Sequence, residues 1–289
     1  MIEKDNDNYS DRLLRTGLLL GETTKHAAQR YAITYLVGGI ALLFLVLLTG
    51  CARQEPKHYT HEVLNRMTPI KDQGDSETCW VYAMLAAIET EHLGMGDSVN
   101  LSPYYIEKML EKESAAPKNK RGMGATLIRL IQKYGIVGYD AMRTVETPAP
   151  RWAFMLGATY TPQEFARSVC APNEYIALTS TTREPYYIKV DINLPDNWLH
   201  DRFYNIPMDS LLSRTEQAVR QHHGVCWESK GHAMAIVGIA HDASGEKYFI
   251  MKNSWGVRGP YKGLAYLSFE DFREKTLAIE MPSSVFYRQ

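Results

Sequence analysis

The chain has 289 residues, 45% of them hydrophobic and 22% charged, enough for one large domain or two lobes with a sizeable core. Lysine and arginine number 32 against 33 aspartates and glutamates, a formal charge of -1, so composition gives no footing to a nucleic-acid partner. Four cysteines, Cys51, Cys79, Cys170 and Cys226, are too few for a disulfide scaffold.

A leader, residues 1–31, comes first. Residues 32–50, "AITYLVGGIALLFLVLLTG", carry no charged side chain and are about as long as a bilayer-crossing helix requires. Lys25 and Arg30 precede them, as expected of a cytoplasmic flank. The run ends in Leu48-Thr49-Gly50-Cys51, which resembles a bacterial lipoprotein signal and implies cleavage before Cys51 and lipidation on it. The alternatives are an uncleaved single-pass anchor and a buried core helix, the last fitting poorly with a run that is apolar all round. With a signal or anchor over 32–51, residues 52–289 lie outside the cytoplasm. They would be held at the bacterial cell envelope by an N-terminal lipid or helix.

Residues 52–66 are polar and read as a tether, leaving 67–289 for the folded domain. From Cys79 the pattern turns helical, with Trp80, Met84 and Ile88 on one face, Val81 and Leu85 beside them, and Gly94 as a stop. Ser102-Pro103 reads as an N-cap followed by proline at the first helical position. Residues 125–134 form a short amphipathic helix closed by Gly135, Thr161 and Glu164 fit a capping box, and 208–222 form a helix closed by Gly224. Strand patterns follow at 232–240, 247–253, 264–269 and 276–281. Helices first and strands later predict an α+β protein with a helical lobe and a β-rich lobe.

Three separated pieces then combine. Gln73 precedes Cys79 by six residues, His232 opens an apolar strand 153 residues after Cys79, and "KNSWG" carries Asn253, Trp255 and Gly256. A thiol attacks a carbonyl carbon well only as thiolate. Cys79 sits at a predicted helix N-terminus, where the dipole favours negative charge, and a histidine folded against it would take the proton. An amide oxygen from Asn253 would orient that histidine, while the Gln73 side chain and the Cys79 N–H would face the oxyanion of a tetrahedral intermediate. The competing reading is a buried Cys-Trp pair opening a core helix.

"MTPIKDQG" with "CW", the His232 strand and "KNSWG" resemble the papain-like cysteine peptidases. The resemblance implies a two-lobe fold, the β-rich lobe barrel-like and the active site between the lobes. It makes Cys79 the nucleophile, His232 the base, Asn253 its orienter and Gln73 the oxyanion donor. Trp255 matches the tryptophan that shields the His–Asn bond. Gly122 in "GMGATLIRLIQK" matches a glycine whose backbone pairs with extended substrate. The implied partners are peptide or protein substrates, and no metal or organic cofactor is implied.

"TPQEFARSVCAPNEYIALTSTTREPYY", "YNIPMDSLL" and "PYKGLAYLS" look like the bleomycin hydrolase/aminopeptidase C branch, which also lacks an Asp before the histidine, here Gly231. The chain departs from papain in having Ser76-Glu77-Thr78 before Cys79, which removes a disulfide and puts a negative charge near the thiol. An unpaired Glu77 would oppose thiolate formation and favour the alternative of an inert, peptide-binding relative. The C-terminal "PSSVFYRQ" does not align with the arm that confers exopeptidase behaviour in that branch. His222-His223 reads as a solvated pair at a helix end, His241 as a loop residue, and Cys170 and Cys226 as separate thiols.

Overall fold

The computed structural model describes residues 56–155 and 157–287. The leader 1–31, the apolar segment 32–51 with Cys51, and residues 52–55 lie outside that range. Among the described residues no helix is long and apolar enough to cross a membrane.

The first helix, α1 (Cys79–Gly94), is buried without interruption from Trp80 to His92. The apolar stripe of Trp80, Met84 and Ile88 is real, but the helix has no solvent face: α2 (Pro103–Leu110) and α3 (Gly124–Tyr134) cover one side, strands the other. Its charged residues are therefore satisfied internally, as burial demands, while the buried Tyr82 and Thr90 hydroxyls have no hydrogen-bond partner among the described residues. Glu89, fully buried, pairs with Lys71 at 2.6 Å and accepts the Leu101 N–H at 2.7 Å. Lys252 lies 3.8 Å from the same carboxylate, and burial pulls its pKa down to about 8.

The expected caps are present. The Ser102 hydroxyl accepts from Tyr105 N–H ahead of Pro103, and Gly135 ends α3 at φ 83°. Thr161 and Glu164 form a reciprocal capping box on α4 (Pro162–Val169). These helices and the inward face of α1 form one apolar core, which includes Leu127, Leu130, Ile131 and Phe165.

Among the described residues the β-rich part is a nine-stranded mixed sheet. The four expected strands appear as β8 (His232–His241), β9 (Lys247–Lys252), β10 (Leu264–Ser268) and β11 (Ala278–Pro282). Joining them are β1 (Thr60–Leu64), β4 (Tyr175–Thr179), β5 (Lys189–Asp191), β6 (Arg202–Asn205) and β7 (Val225–Ser229). The path runs β10-β9-β8-β7-β11-β4-β6-β5, with β1 added to β8. A separate hairpin joins β2 (Ala153–Met155) to β3 (Ala158–Tyr160). A second core lies on the sheet, sealed by α5 (Met208–Arg220), α6 (Phe269–Lys275) and α7 (Ser283–Tyr287).

Three expectations need correction. Residues 52–66 are not tether throughout, because Thr60–Leu64 pairs antiparallel with β8 and the compact unit begins at Lys57. His241 is the last residue of β8, not loop. Of the histidine pair, His222 is exposed as expected, its Nδ1 meeting Asn65 Oδ1 at 2.9 Å, but His223 is half-buried and its Nδ1 meets the Glu91 carboxylate at 3.1 Å. Cys170 and Cys226 are separate buried thiols, as expected. Gly224 lets β7 approach α1 closely, since a Cβ there would lie 1.8 Å from the Ala87 carbonyl oxygen.

Candidate active site

A cleft of about 220 Å³ opens where the N-terminus of α1 meets the β7–β8 hairpin. Gln73, Glu77, Cys79, Gly122, His232 and Trp255 all line it, so residues far apart in sequence share one cavity. Asn253 stands behind His232.

The β7–β8 turn places the histidine. Ser229 pairs with His232 across a two-residue connection, and Gly231 adopts φ 93°, a conformation that disfavours side chains. Glycine rather than aspartate before His232 is thus what this turn requires. Asn253 Oδ1 lies 3.0 Å from His232 Nε2 and also accepts the Ser254 N–H at 2.8 Å. An amide oxygen can only accept, so Nε2 carries the proton and Nδ1 is the basic nitrogen. The Trp255 indole, half exposed, stacks on the imidazole with ring centroids 4.8 Å apart and screens that bond from water.

The loop before Cys79 is stitched to the same turn. Gln73 N–H donates to Ser254 O at 2.8 Å and Gly256 N–H to Lys71 O at 3.1 Å. The Gln73 side chain accepts from the Ser254 hydroxyl and donates one amide N–H to Ser76 O, leaving its second N–H as a donor. Thr78 is the N-cap residue of α1 but does not cap it. Its hydroxyl donates to buried Glu107 at 2.9 Å and meets the Ser76 hydroxyl at 2.7 Å. The first N–H groups of α1 consequently stay open beside Cys79.

Burial pushes the Cys79 thiol pKa up, and the charge of Glu228 adds to that; the N–H groups of Ala233 and Trp80 and the Arg121 charge oppose it. Burial also pulls His232 down, against the bond to Asn253. Desolvation alone would keep both groups neutral, and the surrounding N–H groups and amide oxygen offset part of that preference. Such a pair can pass a proton from sulfur to Nδ1 as a bond to carbon forms.

Glu77 is half exposed and lies 3.7 Å from Arg121 Nη1, whose guanidinium also forks onto Asp196 at 3.0–3.2 Å. The acid that acts on Cys79 is instead Glu228, opposite Ala233 on β7 and 3% exposed. The sequence signal for it is alternation in "VCWES": Val225 and Trp227 face one way, Cys226 and Glu228 the other. Gly122 has no backbone hydrogen bond among the described residues, so its N–H and C=O are open to an extended ligand. Its lack of a side chain has a packing reason, since a Cβ would lie 2.7 Å from the Trp80 ring.

Residues 156–285 match the model of the papain family of cysteine proteases, a range that holds His232 and Asn253 and begins after Gln73 and Cys79. Thiol protease SEN102 of Hemerocallis sp. is 23% identical over 192 residues, 66% of this chain and 48% of that protein. Ananain of Ananas comosus is 24% identical over 195 residues, 66% of this chain and 49% of that protein. The chain therefore spans about half the length of the curated relatives it matches. PepW from Lactobacillus rhamnosis shares the fold with a TM-score of 0.61 at 14% identity, over 86% of this chain and 89% of that one. The likeness to the papain family of cysteine proteases thus covers residues 156–285, and the fold of helices and a large mixed sheet is papain-like.

Proposed function

We propose that this protein is a cysteine peptidase that hydrolyses peptide bonds in peptide or protein substrates. It is held at the bacterial cell envelope through residues 32–51, either by lipid on Cys51 or by a retained helix. Cys79 is the nucleophile, His232 the general base and acid, Asn253 its orienter, and Gln73 with the Cys79 N–H the oxyanion donors. The observation that carries this reading is the 3.0 Å bond from His232 to Asn253 beside the cleft that also holds Cys79 at a helix N-terminus.

The steps follow from the donor set. His232 Nδ1 takes the thiol proton as Sγ bonds to the scissile carbonyl carbon, and the carbonyl π electrons move to oxygen. The oxyanion meets the free Gln73 N–H and the Cys79 N–H. Collapse breaks the C–N bond, and imidazolium gives its proton to the leaving amine. Water then attacks the thioester as Nδ1 takes one of its protons; the C–S bond breaks, that proton passes from Nδ1 to Sγ, and the carboxylic product leaves. Gly122 pairs with the substrate backbone, and Trp255 walls the cleft beside His232. The middle-chain motifs and Gly231 support a reading within the bleomycin hydrolase/aminopeptidase C branch.

The test is turnover of fluorogenic peptides by the full-length chain in detergent, with labelling by an epoxide warhead. Cys79→Ala is expected to abolish both. Turnover surviving in Cys79→Ala would sink the mechanism, and peptide binding without labelling or turnover would favour an inert peptide-binding protein.

A further inference from the structure

The cleft beside Cys79 is acidic, and its acid is buried. Glu77, Asp196 and Glu228 line it against one strong cation, Arg121, which is consumed by Asp196 and Glu77. Among the described residues Glu228 thus faces the cavity without a cationic partner, its Oε1 accepting the N–H of Gly124 at the start of α3. Behind it on β11 lies Glu280, fully buried, with neither carboxylate oxygen in a hydrogen bond. The Ala125 N–H and the Cys226 thiol ease its charge without reaching bonding geometry. Ligand atoms of Cys226, Glu228 and Glu280 all lie within 4.8 Å of one another. Two adjacent carboxyls without a cation are costly to bury, and an arriving positive group relieves that cost most where water is excluded.

We propose that Glu228, backed by Glu280, selects substrates that place a lysine or arginine side chain in this cleft next to the scissile bond. The proposal rests on the peptidase reading and names its substrate class. The cationic head takes the place at Glu228 that no cationic side chain fills among the described residues, while the aliphatic stem lies along Trp80 and Leu277 at the wall. Burial pushes the Glu228 carboxyl up to about 8, so the empty cleft has a partly protonated acid near neutral pH and the cation holds it ionised.

The test pairs arginine with citrulline, its neutral near-isostere, at each residue preceding the cleaved bond in a fluorogenic library. Assays use the full-length chain with chelator present, so that no divalent ion competes at the Cys226–Glu228–Glu280 set. At one position the ratio of kcat/KM for arginine over citrulline is expected to be about tenfold or more, and to collapse toward one in Glu228→Gln. The ratio cancels any change in Cys79 reactivity. A wild-type ratio near one at every position, or a ratio kept in Glu228→Gln, overturns the proposal and leaves the peptidase reading intact. Hydrolysis of no peptide overturns both.

If Glu228→Gln does not fold, the wild-type ratio is followed from pH 6 to 9. It is expected to rise as Glu228 ionises in competition with Glu280, Asp196 and Cys226, with Cys79 common to both substrates. A flat ratio counts against the proposal.

Discussion

At the residue scale, two acids near Cys79 do different things. Glu77 is the nearer in sequence, but it is half exposed and paired with Arg121, and exposed charges act weakly. Glu228 is distant in sequence, buried, and raises the thiol pKa directly. Glu77→Gln is therefore expected to leave the pH profile of iodoacetamide alkylation of Cys79 in place. Glu228→Gln is expected to move it to lower pH, because removing a buried negative charge favours thiolate. Equal profiles for wild type and Glu228→Gln would refute the assignment. Gln73→Ala is expected to lower kcat about 10²–10³-fold with little change in alkylation, since the oxyanion exists only after attack. Burial of His232 keeps its imidazole unprotonated to lower pH than the ordinary 6.5, so the acid limb it sets in kcat/KM is expected below that value.

At the element scale, the approach of β7 to α1 sets the cleft. Gly224→Ala would put a carbon 1.8 Å from the Ala87 carbonyl oxygen, backbone that cannot swing aside. A loss of about 3 kcal/mol or more is expected in urea unfolding; an unchanged midpoint would show that the two elements separate freely. Local chemistry makes several elements legible in the sequence. Ser102-Pro103, the Thr161–Glu164 box and the alternating runs from His232 onward each state a geometry within a few residues, and each formed. What sequence hid was settled by distant contacts. The three-residue β5 and the four-residue β6 carry too little pattern to register, and β1 is polar enough to pass for tether until β8 supplies its partner. The site was legible in its order of types, glutamine, cysteine, histidine, asparagine. Glu228 was not, because the five-residue β7 takes its partners from β8 and β11, and its neighbour Glu280 lies 52 residues on.

At the scale of the whole molecule, the buried acid pair links stability to pH. In the folded state Glu228 keeps its proton up to about 8 and Glu280 is raised well above its ordinary value, whereas both ionise near 4.5 when unfolded. The folded state binds more protons across that interval, so this contribution to stability is present below about 4.5 and is lost as pH rises toward 8. Tm is expected to fall between pH 5 and 8 and to fall less in Glu280→Gln, as differential scanning fluorimetry would show; parallel curves would exclude the linkage. Radiolabelled palmitate is expected to enter the wild type and not Cys51→Ala if Cys51 is lipidated; no incorporation into the wild type would favour a retained helix. The pairing of β1 also decides where a mechanical load enters. Thr60 sits opposite His241, at the end of β8 remote from His232, and nine strand steps separate the two histidines by about 30 Å. If the segment before β1 is membrane-held, as proposed, a pull on it would shear the β1–β8 ladder at its outer end, and the domain could be tugged while the geometry at Cys79 stays unstrained.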